Sequence, residues 1–208
     1  MIDDTTDQRR RIAEHLARIE HLSVGIGTEQ SPCSIAAINL ALSGRLTDDV
    51  PECASPARCA FVISLQDRLP AEIRDSAEWR AALPLLAGTR GMFEDLRPIL
   101  IPWLWERLAD PAVIAAVPER ALPAWRAMLA APGDVGLARA AHADAHAAHA
   151  YAHAYAAAHA AAYAATSYAA TSSADAAADA ADAYAADDYW TRANPAALLV
   201  RLCTEVTP

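Results

Sequence analysis

Residues Ala140–Tyr189 read AAHADAHAAHAYAHAYAAAHAAAYAATSYAATSSADAAADAADAYAADDY, a stretch made only of Ala, His, Tyr, Asp, Ser and Thr. Alanine has the highest helix propensity of any residue, and its small side chain lets a second helix approach closely. A single helix over residues 137–189 would be about 80 Å long, whereas a compact domain of this chain length is only about 45 Å across. We therefore predict a helical hairpin, with arms at about 136–166 and 173–190, that mediates self-association.

Helix signals continue outside this stretch. Four aliphatic side chains at helical spacing predict an amphipathic helix over residues 6–23: Ile12, Leu16, Ile19 and Leu22. Ser31-Pro32 predicts the start of a buried apolar helix, and Ser43-Gly44 predicts its end. Starts of the same kind occur at Ser55-Pro56 and Asn194-Pro195.

Three further segments support the helical assignment. Asp75 with Glu78 resembles a capping box ahead of a helix that begins near Trp79. A Trp-rich helix is predicted over 92–108, kinked or split by its prolines, and one or two short helices are predicted over 111–131. No segment shows period-2 alternation with β-branched residues, so we expect little or no sheet and an all-α fold.

The change in composition divides the chain into two predicted parts. Residues 1–132 would form a globular helical domain, because they hold most of the Leu, Ile, Val and Trp side chains. Residues 133–208 would form the Ala-rich hairpin and a C-terminal helix that packs on the first part.

Charge and composition limit the function. The net charge is −9 and the pI is near 5.1, which argues against a nucleic-acid or anionic-membrane binder. The chain contains no Lys and shows neither a signal peptide nor an apolar run long enough to span a bilayer. Its four cysteines lack the spacing of a disulfide framework. We expect a cytoplasmic protein that holds no cofactor.

The histidines of the Ala-rich stretch form one stripe. His142, His146, His149 and His153 follow one another at i, i+4, i+7 and i+11, which places them on one side of a helix. Imidazoles four residues apart can share Zn, Ni or Cu. The same stripe is also typical of a packed or pH-sensitive interface. We therefore take these residues as a candidate binding surface and keep a metal site as the alternative.

Tyrosines form a second stripe on the same stretch. Tyr151, Tyr155, His159 and Tyr163 recur every four residues. Tyrosine presents a flat apolar body with a polar tip, which suits interfaces. The rings would otherwise fill space that the alanines leave empty. Tyr151 and Tyr155 join the histidines as candidate contact residues.

Cys33 offers an enzymatic alternative. It lies at the predicted N-terminus of a helix, where the helix dipole lowers the pKa of a thiol and backbone N–H groups can stabilise an oxyanion. Gln30 lies three residues before it and could act as an oxyanion donor. This pattern indicates a thiol hydrolase or transferase. A buried cysteine with a packing role fits the same apolar helix.

Two blocks of sequence carry a resemblance: SIAAINLALSGRLTD at Ser34–Asp48 and SAEWRAALPLLAGT at Ser76–Thr89. Over roughly residues 23–110 the chain is similar to a group of uncharacterised proteins from phages and GC-rich bacteria. The group has no assigned activity, so no catalytic residue follows from the resemblance. It implies an anti-defence role, in which a phage protein blocks or sequesters a host component.

A binding protein without catalytic activity is thus the leading hypothesis. Its ligand would be a host protein or a small signal molecule, and the chain would form a homo-oligomer through the Ala-rich helices. The chain has no phosphate-binding loop, nucleophile elbow, HExxH or CxxC motif. The alternatives are the Cys33-dependent enzyme and a metal-binding protein that uses the His stripe.

Overall fold

The fold was analysed in a computed structural model, which describes residues 5–117, 119–147 and 189–205. Within these ranges the chain is helical and contains no strand, so the all-α prediction is confirmed. The extended backbone there includes one isolated antiparallel bridge, between Gly27 and Pro32. No helix of the described ranges is long and apolar enough to cross a membrane.

The described residues group into two compact units. The first comprises those of Met1–Glu94 and Asn194–Pro208, and the second comprises those of Asp95–Ala193. These units are defined by packing, whereas the division predicted at residue 132 follows a change in composition. As a statement about domains, that division stays a prediction.

The first unit contains six α-helices and a short 3₁₀ helix. They are α1 (Thr5–Leu16), α2 (Ser34–Ser43), α3 (Pro56–Gln66), α4 (Ala71–Arg74), α5 (Ala77–Ala82), the 3₁₀ helix Leu83–Leu86 and α11 (Pro195–Thr204). Helix α2 is the most deeply buried, because Ile35 to Ile38 have no exposed surface. It packs against α1 and α3.

Helix α1 is shorter than predicted. It ends at Leu16, although Ile19 and Leu22 are buried as their spacing required. The guanidinium of Arg80 explains the early end, because it donates to the carbonyls of Leu16 and Ile19 at 2.9 and 2.7 Å. These bonds satisfy carbonyl groups that a longer helix would have paired internally.

The predicted helix starts are mostly confirmed. Ser55 and Asn194 cap α3 and α11, and Gly44 ends α2 with a φ of 70°. Two predictions are wrong by one or two residues. Helix α2 is capped by Cys33 rather than by Ser31, and α5 is capped by Ser76 rather than by Asp75.

Helix α11 is part of the first unit although it lies more than a hundred residues from α3 in sequence. The buried Arg58 of α3 donates from Nε to the carbonyl of Leu202 at 2.6 Å and from Nη1 to that of Phe93 at 3.0 Å. One guanidinium therefore connects both α11 and the backbone at Phe93 to α3.

The second unit is built around tryptophans. Its helices are α6 (Arg97–Leu108), α7 (Pro111–Ala116), a 3₁₀ turn (Glu119–Ala121), α8 (Leu122–Ala130), α9 (Val135–Ala147) and α10 (Tyr189–Ala193). Trp105 donates to the carbonyl of Met128 and Trp125 to that of Leu108, and both rings are buried. These bonds join the last turn of α6 to the middle of α8.

The Ala-rich stretch enters this unit as α9, which confirms that its first residues are helical. Residues 148–188 lie outside the described ranges. The helical hairpin and the self-association assigned to it therefore stay predictions.

Candidate functional site

Cys33 occupies the N-terminus of α2 but is buried there, with 1% of its surface exposed. Its Sγ accepts a hydrogen bond from the N–H of Ala36 at 3.3 Å. Burial raises the pKa of the Cys33 thiol, although hydrogen bonds from Ala36 and Ile35 oppose the shift. The lowered pKa expected for this thiol is therefore wrong, because desolvation outweighs the helix terminus.

Gln30 lies on the exposed part of the preceding loop. The glutamine that serves the start of α2 is instead Gln66, which is buried and whose Oε1 accepts from the N–H of Ser34 at 2.7 Å. Gln66 also makes a hydrogen bond that favours the Cys33 thiolate. Sequence distance hid this residue, since it lies 32 positions after Ser34.

The predicted binding stripes are only partly within the described ranges. His142 and His146 are residues of α9. His149, His153, Tyr151 and Tyr155 lie outside the described ranges, so their binding and metal roles stay predictions. In the part of the chain that the structure describes, no three His, Cys, Asp or Glu residues form a group that could hold a metal ion.

The most distinctive surface of the first unit is the loop of residues 23–32, which leads into α2. Ser23 N–H donates to the carbonyl of Pro32 at 3.0 Å, and Cys33 N–H donates to that of Ile26 at 3.1 Å. At the tip, Thr28 N–H donates to the carbonyl of Ser31 at 3.0 Å. Loop 23–32 therefore has the internal bonding of a small hairpin without belonging to a sheet.

Two carboxylates anchor this loop and the residues that lead into it: Asp67, directly after α3, and Asp75, directly after α4. The N–H of Gly25 donates to Asp67 Oδ1 at 3.0 Å, and that of Leu22 donates to Asp75 Oδ1 at 2.7 Å. His21 Nδ1 lies 3.0 Å from Asp75 Oδ2. Burial raises the pKa of Asp75, but its bonds with Leu22, His21 and Arg80 outweigh this and hold the pKa below its ordinary value.

Gly27 is required by the shape of the loop. Its φ is 73°, and a Cβ there would lie 2.1 Å from Ser23 Oγ and 2.2 Å from the carbonyl oxygen of Ser31. Gly25 also has a positive φ, but a Cβ there would meet open space. The backbone of the loop is thus fixed by close approach as well as by hydrogen bonds.

The anchored loop exposes aliphatic side chains. Val24 is 54% exposed and Ile26 41% exposed, whereas most large apolar side chains of the described ranges are buried. The exposed charged residues nearest in sequence are Arg18, Glu20 and Glu29, of which two are acidic. Loop 23–32 therefore presents an apolar pair whose charged neighbours in sequence are mainly acidic.

A cleft of about 640 Å³ opens at the other end of α2. Its lining is mixed, with Gln8, Asn39, Leu42, Ser43, Arg45, Thr47, Asp49, Val50, Pro51, Glu52 and Cys53. Asn39 shapes it, because its side-chain amide donates to the carbonyls of Thr47 and Asp49, both at 2.8 Å. The volume lies within the range of small-molecule sites, about 300–1,000 Å³.

Sequence reasoning missed both surfaces. Gly25 and Gly27 are two glycines one residue apart, a spacing that signals a tight loop with positive φ. Asn39 was the one polar residue in the middle of an apolar helix, which indicates a buried hydrogen-bonding role. The partners of these residues are distant in sequence and could not be read from it.

No family model, curated protein or solved structure matches the chain.

Proposed function

We propose that this protein acts by binding another protein, and that loop 23–32 is a contact surface. One observation carries the proposal: a loop fixed from several sides holds two branched aliphatic side chains in water. Exposed apolar side chains gain free energy when a partner buries them. A loop that is already ordered loses little conformational entropy on binding.

The charge around the loop indicates the kind of partner. The guanidinium of Arg74 donates to the backbone carbonyls of Leu22 and Leu69, both at 2.8 Å. That of Arg80 is held by carbonyls of residues 16–20 and by Asp75. Glu20 and Glu29 remain exposed, so the loop fits an apolar depression bordered by basic side chains.

The role implied by the phage resemblance is one function of this kind. A protein that blocks a host component needs a preformed surface rather than a catalytic group, and loop 23–32 supplies such a surface. The anti-defence role itself stays a prediction.

Site-specific photo-crosslinking tests the proposal. A benzophenone amino acid is placed at Val24 in the full chain, within the cells that naturally contain it. Val200 is the matched control, because it is a 39% exposed valine on α11 of the same unit. We expect a discrete adduct from position 24 that is absent from position 200 and is lost when Ile26→Glu is added.

Circular dichroism and thermal unfolding establish that each variant is folded. Equal adduct patterns at positions 24 and 200, or no adduct from position 24, would show that the loop is not a contact surface.

A further inference from the structure

Gln66 is the last residue of α3, and its polar side chain has only 1% of its surface exposed. Its Oε1 accepts from the N–H of Ser34, the first residue of α2, at 2.7 Å. Its Nε2 donates to Asp67 Oδ1 at 2.9 Å, and a further hydrogen bond favours the thiolate form of Cys33. The orientation of this amide is fixed, because its acceptor faces a backbone donor and its donor faces a carboxylate.

The same oxygen of Asp67 accepts a second hydrogen bond, from the N–H of Gly25 at 3.0 Å. One carboxylate oxygen therefore connects a buried amide to an exposed loop. Gly25 lies between Val24 and Ile26, the two aliphatic residues that the loop exposes. Asp67 itself is exposed, and an exposed carboxylate turns between rotamers unless a neighbour holds it. The Nε2 group of Gln66 supplies such a hold.

The opposite end of this connection lies in the core. Ser34 is buried, and its Oγ accepts from Nε1 of the buried Trp79 at 3.2 Å. The backbone carbonyl of Gln66 also accepts from Arg74 Nη1 at 3.3 Å. The side chain of Gln66 is therefore held by the first turn of α2 at its oxygen, while its nitrogen holds Asp67.

We infer that Gln66 is a positioning residue for the contact surface of loop 23–32, which it reaches through Asp67. This inference rests on the function proposed for that loop. A surface that is already ordered binds more tightly, because less conformational entropy is lost on association. Loss of the donor at Gln66 would free Asp67, release the N–H of Gly25 and let the two exposed aliphatic side chains sample other positions.

Gln66→Glu tests this connection with little change of shape. The introduced glutamate keeps an acceptor for the start of α2 but, once ionised, has no donor for Asp67. Amide hydrogen exchange of the purified full chain, followed in ¹H–¹⁵N spectra, should show the exchange of Gly25 accelerated about tenfold. The amide of Leu22, whose acceptor is Asp75, is the internal reference and should change less than about twofold.

Exchanging the two side chain types separates positioning from a merely structural role. Gln66→Glu combined with Asp67→Asn keeps the net charge. The introduced asparagine can donate from Nδ2 to the introduced glutamate while its Oδ1 accepts from Gly25. This double variant should bring the exchange of Gly25 back to within about threefold of the wild type. If Gln66 only filled space in the core, a change at the exposed Asp67 would not rescue its loss.

Photo-crosslinking measures the consequence for binding. With the benzophenone amino acid at Val24, the adduct yield should fall at least about fivefold in Gln66→Glu and return in the double variant. Gln8→Glu makes the same chemical change on α1 and should leave the yield within about twofold of the wild type. Thermal unfolding identifies the folded variants. Where Gln66→Glu does not fold, Gln66→Met replaces it, because methionine removes the amide without adding a charge.

Several results would overturn the inference. They are an unchanged exchange of Gly25 in a folded Gln66 variant, equal acceleration at Gly25 and Leu22, and no recovery in the double variant. An adduct yield from Val24 that does not respond to the Gln66 variants would do the same. No adduct from the wild-type chain would instead contradict the proposed function, while the exchange measurements still decide whether Gln66 fixes the loop.

Discussion

A loop lies at each end of helix α2, and the two loops are held in place by different residues. At its N-terminus, loop 23–32 is held from outside by Asp67 and Asp75 and turns aliphatic side chains to solvent. At its C-terminus, Asn39 of the helix itself holds the backbone at Thr47 and Asp49, and Asp49 and Glu52 line the cleft. A helix that is buried over its first six residues can thus organise two surfaces, because the backbone groups at its ends need partners.

Arginines contribute to this contrast because several of them bind backbone carbonyls. Arg11, Arg58, Arg74 and Arg80 each donate to two or more backbone oxygens. A guanidinium can bridge several carbonyls because its donors lie in one plane, which a lysine ammonium cannot match. The chain has no lysine. With these arginines turned inward, the exposed charge around both ends of α2 is mainly acidic.

The largest expected effect concerns the N-terminal loop. Gly27→Ala should lower the free energy of unfolding by about 3 kcal/mol, since the new Cβ meets backbone and Ser23 in a left-handed conformation. Gly25→Ala is the control and should lower it by only about 1 kcal/mol, because space is open there. Urea unfolding measures both, and an equal cost at the two positions would contradict the close approach.

A smaller effect is expected at the C-terminal end. Asn39→Ala should lower the free energy of unfolding by about 2 kcal/mol, because it leaves the carbonyls of Thr47 and Asp49 without their donor. Ser43→Ala removes a single bond to the carbonyl of Asn39 and should lower it by about 0.5 kcal/mol. The same urea titrations give these values. A loss for Asn39→Ala no greater than for Ser43→Ala would show that segment 45–53 is held by other contacts.

The stability of the chain at acid pH tests the anchoring role of Asp75. The pKa of Asp75 is lower in the folded chain than its ordinary value of 3.8. The ionised carboxylate therefore stabilises the folded state fully at pH values above 3.8. This stabilisation is lost as the pH falls through the lower folded pKa. Asp75→Asn should therefore lower the free energy of unfolding by about 1 kcal/mol at pH 7.

Denaturant titrations from pH 7 to pH 2 measure this effect. The variant should lose less stability than the wild type below about pH 4. Parallel curves for the two proteins would show that Asp75 does not anchor the loop through its charge.

The smallest effect is one of thiol reactivity. Cys33, at the N-terminal end, is buried with a raised pKa, and burial raises the pKa of Cys59 and Cys203 to about 12. Cys53 is half-buried and lines the cleft. Maleimide at pH 7.5 should label Cys53 first, as peptide mass spectrometry can show. Faster labelling of Cys33 would restore the thiol-enzyme hypothesis.

Local chemistry explains which parts of the fold were predictable. Caps such as Ser55 and Asn194 act within three residues, so their positions follow from the sequence. The end of α1 does not, because it depends on Arg80, more than sixty residues away. The pKa of Cys33 could not be predicted locally either, because its residue type and position indicated a low value. Its burial by the surrounding core reversed the shift.

The candidate surfaces follow the same rule. The glycines of loop 23–32 indicate a break in the sequence, but the carboxylates that anchor the loop are those of Asp67 and Asp75, which lie more than forty residues further along the chain. The cleft depends on Asn39 reaching residues eight and ten positions ahead across a helix end. Periodicity describes the buried face of a helix, whereas these contacts are made by its ends.

The place of α11 in the first unit has a consequence for synthesis. Leu202 supplies a carbonyl to the buried guanidinium of Arg58, and α11 packs against α3, α5 and the 3₁₀ helix. A ribosome must therefore translate the whole of residues 95–193 before the core around α3 can close. During that interval the nascent first unit lacks one wall, and chaperones would find its apolar interior accessible.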